Sequence, residues 1–228
     1  MVRICCLIPL LALVGCAGSV AVEDLDPFGG AASAVWFHWD DSDYDSIVLS
    51  NVVGLCGKWT AYVETAEELE DAAEDLDVFD NDYCEEAMEP MFRHARAAEA
   101  LFHDGAHYLE LGVREGDRSE PDEDTYEVDG DKRSLSGTVS YLGESAWSNI
   151  LAEWDPEEDF EDGCGLSASD LESDIDLWYL DEGELEIGQV ADERVVGGRL
   201  EGELADSDGS DEGEIKASFS ASWCEIDR

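Results

Sequence analysis

Alternating apolar and polar residues predict β-strands in two blocks of the chain. In the first block, Val35, Phe37 and Trp39 share one face of residues 34–40, and residues 47–49 form the returning strand of a hairpin. The second block begins after position 107. Its predicted strands are 109–113, 135–141, 175–179, 185–187, 196–204 and 215–223, with a polar loop at 119–124 and turns at 181–183 and 206–210.

Helical spacing separates the two blocks. Apolar residues recur at three- and four-residue steps over 59–76 and again over 88–102, which predicts two amphipathic helices. Pro90 either starts the second helix or kinks it, and Gly105 is expected to close it. We therefore expect an antiparallel helical hairpin, inserted between strands at about 57–104.

Two shorter signals concern helix starts. Thr65 with Glu68 has the form of a capping box, so the first helix begins either soon after Gly54 or only at Thr65. Residues 147–154 also keep helical spacing and predict a short helix, followed by an acidic loop at 155–165. The apolar residues of that short helix are Trp147, Ile150, Leu151 and Trp154.

Short strands separated by acidic turns, with one inserted helical pair, predict an α+β protein that is mainly β. The expected architecture is an antiparallel β-sandwich similar to a jelly roll. Residues 34–228 are expected to form it as a single domain.

Residues 1–15 have the features of a signal peptide. A basic start at Arg3 precedes an apolar run that is too short to cross a bilayer, which needs about 20 apolar residues. The sequence Leu13-Val14-Gly15-Cys16 resembles the lipobox of bacterial lipoproteins. That resemblance implies cleavage before Cys16 and acylation of its sulfur and its new amino group, with chains such as palmitate. The alternative is an ordinary secretory cut after Ser19-Val20-Ala21.

Residues 16–33 are rich in Gly and Ala, and we expect them to form a flexible tether. Ala17, not Asp, follows the cysteine, and by resemblance to other bacterial lipoproteins this implies sorting to the outer membrane. The membrane would then be bound through the lipid on Cys16. The secretory alternative gives a secreted protein.

The chain is strongly acidic. Its 59 Asp and Glu residues against 12 Lys and Arg residues give a formal net charge of −47, spread over the whole length. Nucleic acid and anionic headgroups are bound by clustered Lys and Arg, so the composition argues against nucleic acid as a partner. Since 44% of the residues are hydrophobic, the chain can form a folded core. We interpret the charge as an adaptation to a saline medium first and as a means of binding cations second.

Cysteine usage agrees with export. Once Cys5 and Cys6 leave with the signal peptide and Cys16 carries lipid, the remaining cysteines are Cys56, Cys84, Cys164 and Cys224. An even number in an exported chain predicts two disulfides. A Cys56–Cys84 bond is disfavoured because these residues fall at opposite ends of the helical hairpin, unless the first helix starts late. Of the two other patterns, we favour Cys56–Cys224 with Cys84–Cys164.

Two acidic turns are candidate calcium sites, because carboxylate oxygens on a tight loop suit Ca²⁺. Neither turn has the ligand spacing of an EF-hand loop, so solvated turns are the competing interpretation. No other cofactor is expected. The candidate ligands are Asp40, Asp41, Asp43 and Asp45 in the first hairpin and Asp206, Asp208 and Asp211 in a late turn.

The sequence contains no catalytic motif of the G-x-S-x-G, H-E-x-x-H or S-x-x-K type, and no enzyme activity is expected. His103 and His107 flank Gly105, which would break any helix that aligned them. His38 is expected to be an ordinary, partly buried histidine on the strand face opposite Phe37. Tryptophan faces can stack on sugars, but most of the tryptophans here occur at core-type positions.

Two further stretches carry a family resemblance. Leu49-Ser-Asn-Val-Val-Gly-Leu-Cys56 and Gly213-Glu-Ile-Lys-Ala-Ser-Phe-Ser-Ala-Ser-Trp-Cys224, together with the lipobox, resemble uncharacterised acidic lipoproteins of Gram-negative envelopes, with an early LSN…LC and a final GxFxAxxC strand. The resemblance covers most of the mature chain, and its motifs are loose and mainly structural. It therefore implies fold and location and adds nothing on chemistry.

Together these observations predict a lipid-anchored envelope or surface lipoprotein with a non-catalytic structural or binding role toward an unknown envelope or extracellular partner. Two alternatives remain open. One is a calcium-dependent or carbohydrate-binding surface module, and the other is an enzyme acting on extracellular polysaccharide or peptidoglycan.

Overall fold

The residues that the structure describes form one β-sheet and a pair of helices. A computed structural model describes residues 18–22, 31–39, 45–74, 82–115, 121–143, 175–191, 195–206 and 212–226. The described elements are β1 Gly18–Val22, β2 Ser33–Trp39, β3 Asp45–Ser50, α1 Leu55–Glu74, α2 Asp82–Leu101, β4 His107–Glu115, β5 Thr125–Val128, β6 Arg133–Leu142, β7 Ile175–Ala191, β8 Val195–Asp206 and β9 Glu212–Ile226. The fold is therefore α+β and mainly β, which confirms the predicted class.

The sheet closes on itself. Its hydrogen-bonded neighbours follow the order β9-β2-β3-β4-β6-β7-β8, and β8 pairs with β9 again. β5 lies between β6 and β7 over part of their length, and β1 pairs with residues 215–219 of β9, beside the start of β2. The β2–β9 and β5–β6 pairings are parallel. The described strands thus form one closed, mixed sheet and not the expected antiparallel sandwich, because pairing of β2 with β9 lets a single sheet enclose the core.

Apolar side chains from β2 through β9 fill the interior of the closed sheet. The strand alternation seen in the sequence is an alternation between this interior and the outside: Ile215 and Ala217 are buried, whereas Lys216 between them is exposed. Each large apolar side chain buried in this way stabilises the fold by about 1.5–3 kcal/mol. The largest fully buried interior side chains are Tyr126, Ile47, Leu49, Leu109, Leu111, Leu185, Ile187, Leu200 and Leu204.

A second apolar cluster lies outside the sheet, under the helical hairpin. β2 therefore has both faces buried, with Trp36 in the interior cluster and Val35 and Phe37 in the cluster that the helices cover. The Phe37 ring packs against Trp59 of α1 with their centroids 5.2 Å apart, and Trp59 meets Phe102, just beyond α2, at 6.2 Å. These aromatic contacts hold the hairpin against the wall formed by β2, β3, β4 and the end of β9.

The first helix starts early. α1 begins at Leu55, after Gly54 in a left-handed turn with φ of 72°. Thr65 lies inside the helix, where its Oγ1 donates to the carbonyls of Ala61 and Tyr62 at 2.8 and 3.0 Å. The capping-box start at Thr65 is therefore wrong, because its hydroxyl bonds backward to preceding carbonyls within the helix.

The second helix contains its proline. Pro90 lies inside α2 and not at its start. The helix ends at Leu101, whose carbonyl accepts a hydrogen bond from Tyr108 Oη at 2.5 Å, so a side chain of β4 satisfies one of the last carbonyls of the helix. Gly105 follows with φ of 74°, in the turn that leads into β4. The hairpin thus spans Leu55 to Leu101, close to the predicted insertion.

β7 runs without interruption through the predicted turn at 181–183, so that turn is wrong. The register with β8 shifts between Leu180 and Glu182, which marks a bulge. Gly183 lies directly opposite Gly202, and a Cβ on Gly202 would come within 2.7 Å of Leu180 Cδ1. The glycine that suggested a turn at 181–183 instead lets the backbones of β7 and β8 approach closely within a continuous strand, and the chain does not reverse there.

Two strands are not predicted by the alternation of the sequence. Gly18–Val22 falls in the stretch 16–33 that we expected to be a flexible tether, but it pairs with β9 from Gly18 opposite Phe219 to Val22 opposite Ile215. The tether expectation is wrong for these five residues. β5 is a four-residue strand. Strands this short leave little periodicity for sequence analysis to find.

Several predictions fall outside the described residues. These are the signal peptide at 1–15, the acidic turn at 40–43, the short helix at 147–154, the acidic loop at 155–165 and most of the turn at 206–210.

Candidate functional site

A polar pair lies where β2 ends and β3 begins. Asp45 and His38 are directly paired positions of the two strands. Asp45 is only 3% exposed, and its Oδ1 lies 2.8 Å from His38 Nδ1, while its Oδ2 accepts a hydrogen bond from Trp36 Nε1 at 2.9 Å. Both oxygens of this buried carboxylate therefore have partners, as a buried charge requires.

Aromatic rings pack around this pair. The His38 ring stacks on Trp223 of β9, with centroids 4.6 Å apart and planes inclined by 26°. Trp223 in turn meets Trp36 edge to face at 4.6 Å. The parallel β2–β9 pairing places Trp36 beside Trp223, so the joining of these strands also assembles the cluster. We refer to Trp36, His38, Asp45 and Trp223 as the His38 cluster.

The His38 cluster has two features of proton-transfer sites, a carboxylate bonded to the imidazole and access to solvent. A carboxylate bonded to Nδ1 orients an imidazole and fixes its tautomer, as in hydrolase triads. The His38 side chain is 26% exposed, so solvent reaches one edge of the cluster. However, the buried N–H of Trp36 needs a hydrogen-bond acceptor, and Asp45 provides it whether or not the cluster has a chemical function. Packing explains the cluster, and the expectation of a partly buried histidine at position 38 is confirmed.

Asp45 does not fit the calcium role that its acidic neighbours suggested. A ligand needs an oxygen facing the ion, whereas both oxygens of Asp45 are buried against Trp36 and His38. Its role could have been anticipated from register, because residue 45 falls opposite His38 once the hairpin turn is centred on 40–43.

The other calcium candidates are only partly described. Asp206 ends β8, half-buried and opposite Trp178. Within the described ranges, no group of three or more His, Cys, Asp or Glu side chains is placed to hold a metal ion. The remaining candidates lie outside those ranges: Asp40, Asp41, Asp43, Asp208 and Asp211.

A disulfide joins the helical hairpin to the last strand. Cys56, in the first turn of α1, is bonded to Cys224 of β9 with their Cα atoms 5.8 Å apart. This confirms the favoured Cys56–Cys224 pair. Cys16, Cys164 and the side chain of Cys84 lie outside the described residues, so the second pair stays a prediction.

A histidine lies between the two helices. His94 of α2 stacks on Tyr62 of α1 with centroids 4.8 Å apart, and its Nδ1 is 3.3 Å from Thr65 Oγ1. Burial at this interface lowers the pKa of His94 below its ordinary value of 6.5, because the charged form loses hydration there. Arg93 and Glu68 form an ion pair of 2.8 Å across the same interface.

Two ion pairs lie where β4, β5 and β6 come together. Arg133 contacts Glu115 at 3.0 Å and Asp124 at 2.5 Å, close to buried Tyr126, whose burial is the main factor raising the pKa of its phenol. An open cavity of about 440 Å³ lies beside these residues. Two acids and two bases line this cavity, so its charges favour neither anions nor cations. The lining residues are Arg114, Glu115, Gly130, Asp131, Lys132 and Ser134.

Exposed glutamates oppose one another across the outer side of the sheet. Three rows of paired positions cross β7, β8 and β9, and the bases Arg199 and Lys216 are outnumbered in them. We call this surface the glutamate face. It comprises Glu127 on β5, Glu182, Glu184 and Glu186 on β7, Glu201 and Glu203 on β8, and Glu214 on β9.

Among the described helices, none is long and apolar enough to cross a membrane. No protein family, curated protein or solved structure matches this chain.

Proposed function

We propose that this chain is a lipid-anchored lipoprotein of a Gram-negative envelope, attached through Cys16, with a non-catalytic structural or binding role. The observation that carries the proposal is β1. It begins at Gly18, two residues after Cys16, and its five residues pair with β9. Cleavage before Cys16 keeps this strand in the mature protein, whereas a secretory cut after Ala21 would remove four of its five residues.

The pairing of β1 with β9 also shortens the proposed connection between the lipid on Cys16 and the sheet. With β1 paired, only Ala17 separates Cys16 from the sheet. Because one residue spans at most about 3.6 Å, the lipid is attached within roughly 7 Å of Gly18. The sheet is thus held close to the bilayer, without the flexible tether that the sequence suggested.

The filled interior and the acidic exterior support the non-catalytic part of the proposal. The interior is packed with apolar side chains from eight strands. The outer side carries the glutamate face, which keeps a protein soluble and repels anionic polymers. Such a surface suits a saline medium, where salt screens the repulsion between carboxylates.

Anchoring is tested by expressing the full chain in a Gram-negative host and separating detergent and aqueous phases. We expect the wild-type protein in the detergent phase, with a mass that includes diacylglyceryl and N-acyl chains on Cys16. Stable attachment requires more than one chain, since a single acyl chain binds only marginally. The Cys16→Ser variant should remain in the aqueous phase.

A matched control is available within the signal peptide. Cys6→Ser removes a cysteine that the cleavage discards, so lipidation should be unchanged. An unmodified mature N-terminus at Val22 in the wild-type protein would overturn both the anchor and the envelope location.

A further inference from the structure

The outer side of β7 carries three neighbouring apolar side chains. Ile175, Leu177 and Tyr179 are 54%, 38% and 43% exposed, and because they alternate along the strand they point the same way. We call them the outer apolar row. Among the described residues, the one other exposed large apolar side chain is that of Val53, in the turn before α1. Apolar side chains exposed singly are ordinary, whereas a contiguous group is typical of an interaction surface.

The outer apolar row is held in place by the sheet. Ile175 lies opposite Leu142 of β6, and Tyr179 lies opposite Thr138 of the same strand. The exposed fractions of the three side chains are those within the complete chain, so the row is accessible to a separate molecule. A partner would therefore meet a preformed apolar surface about 13 Å long.

Carboxylates adjoin the outer apolar row on the same side of the sheet. Glu182 follows Tyr179 about 10 Å farther along β7. It lies opposite Glu203 of β8, which in turn lies opposite Glu214 of β9. The row thus leads into the glutamate face, and one side of the sheet presents an apolar block followed by an acidic block.

We infer that this surface binds a basic, amphipathic segment of another protein. The apolar side chains of that segment lie on the outer apolar row, and its lysines and arginines lie on the glutamate face. Burial of the row provides affinity, whereas the complementary charges speed the encounter and fix the orientation of the segment. The inference specifies the binding role proposed above, and it holds whether or not Cys16 is acylated.

A second copy of the chain is a poorer occupant. It would bring a second glutamate face and a formal net charge of −47 against the same charges, which repel it. A stable dimer also needs an interface of about 800 Å² on each partner, well beyond what three side chains supply. A basic segment has neither disadvantage.

A bilayer is also a poorer occupant, because β1 places the proposed anchor toward the opposite end of the strands. Gly18, the residue of β1 nearest to Cys16, lies opposite Phe219, and Phe219 lies opposite Gly198 of β8. Tyr179 lies opposite Ala205, which is roughly 23 Å farther along β8 than Gly198 and in the direction away from Cys16. The neighbouring carboxylates repel anionic headgroups as well.

The test measures the binding of a fluorescein-labelled synthetic peptide, a block of Leu and Trp followed by a block of Lys, to the mature Cys16→Ser protein without lipid. The double change Leu177→Ser and Tyr179→Ser removes most of the row and should raise the Kd about tenfold, because less apolar area is buried. Val53→Ser is the matched control, since it removes an exposed apolar side chain outside the row and should leave the Kd unchanged.

The charge contribution is tested separately. Glu182→Gln with Glu203→Gln should weaken binding several-fold in dilute buffer, and the difference should vanish in about 1 M NaCl. Glu67→Gln with Glu70→Gln removes the same charge from the exposed side of α1 and should have no effect. A peptide with Glu in place of Lys should bind at least several-fold more weakly than the Lys peptide.

The position of the bound peptide is read from a photoreactive leucine in its apolar block, which should cross-link to residues 175–179 of the Cys16→Ser protein with its surface otherwise unchanged. Cross-links confined to other residues, or equal Kd values for the row variant and Val53→Ser, would overturn the inference. Equal affinity for the Lys and Glu peptides would also overturn it.

Two further outcomes would assign the row to another occupant and overturn the inference. One is self-association in sedimentation that the row variant abolishes, which indicates a second copy. The other is row-dependent binding of the Cys16→Ser protein to phosphatidylcholine vesicles, which indicates a bilayer. Failure of lipidation at Cys16 would overturn the anchor but leave peptide binding unchanged, so the two proposals can fail separately.

Discussion

Glu182 on β7 lies directly opposite Glu203 on β8, and both side chains are exposed on the outer side of the sheet. Glu203 is in turn paired with Glu214 on β9. Like charges at directly opposed positions destabilise a sheet, and salt reduces that repulsion. The arrangement of the glutamate face therefore makes the stability of this fold depend on ionic strength.

The first prediction concerns salt. The screening length falls from about 30 Å at 0.01 M to about 3 Å at 1 M, so the melting temperature should rise substantially between these NaCl concentrations. A melting series in NaCl, followed by CaCl₂ at matched ionic strength, measures this. A melting temperature that does not change with NaCl concentration would refute the proposed adaptation to a saline medium. A saturating shift specific to Ca²⁺ would instead support a calcium site among the acidic turns.

The second prediction isolates one glutamate. Glu203→Gln removes the central charge of the Glu182–Glu203–Glu214 row and should stabilise the protein by about 0.2–1 kcal/mol in dilute buffer. The gain should disappear at 1 M NaCl. Glu110→Gln is the control, because Glu110 is paired with Val48 and Thr138 and opposes no carboxylate. Equal effects of the two variants would show that general charge, and not strand register, is responsible.

The third prediction concerns the disulfides. The Cys56–Cys224 bond joins residues 168 apart, and in the chain-entropy model closing so long a loop stabilises the fold by about 5 kcal/mol. Denaturant unfolding of the Cys56→Ala, Cys224→Ala double variant should show a loss of that order. A non-reduced peptide map of the wild type should contain Cys56–Cys224 and Cys84–Cys164. Any peptide linking Cys56 to Cys84 contradicts this pairing.

The fourth prediction concerns the buried carboxylate. Trp36 is 4% exposed, and its indole N–H donates to Asp45. The Asp45→Ala substitution removes this acceptor and should lower the free energy of unfolding by about 1–3 kcal/mol. Asp45→Asn keeps one carbonyl oxygen for Trp36 and should cost less. Asp71→Ala removes the same charge from the exposed face of α1 and serves as the control. Urea unfolding separates these outcomes, and a fully stable Asp45→Ala protein would refute the role assigned to Asp45.

The fifth prediction is a dependence on pH. Because the pKa of His94 is lower in the folded protein than in the unfolded chain, the unfolded chain binds this proton more readily. The stability contributed by neutral His94 is complete above pH 6.5 and declines as the pH falls toward the lowered pKa. Unfolding at pH 7.5 and 5.5 should differ less in His94→Gln than in the wild type. His103→Gln is the matched control, because it changes a half-buried histidine outside the helix interface, with its Nδ1 3.0 Å from the carbonyl oxygen of Asp104.

The periodicity of the sequence predicted the local elements of the fold but not how the strands are arranged. It located the helical hairpin and most of the long strands, because each buries one regular face. It could not show that β2 pairs with β9, since that contact joins residues such as Trp36 and Trp223 that are far apart in sequence. Closure of the sheet depends on this one long-range pairing, and a sandwich has the same local pattern.

The candidate site was predicted less completely, for a related reason. His38 and Asp45 are both visible in the sequence, but their relationship appears only when the register of the hairpin is known. The length of a helix disfavours Cys56–Cys84 by distance, but it does not decide between the two remaining patterns, and the favoured Cys56–Cys224 pair is established by the structure. A length can exclude a contact from the sequence alone, whereas the contacts that do form depend on how the strands pair and in which register.

The position of β9 determines when the chain can become native. β9 pairs with β1, β2 and β8 and carries one half of the disulfide. Until β9 is in place, one edge of each of these three strands is unpaired and the sheet cannot close. Contacts between distant parts of a chain form slowly, so the proposed export through a membrane would precede folding. During the same interval, the unpaired edges are most open to proteases and to aggregation.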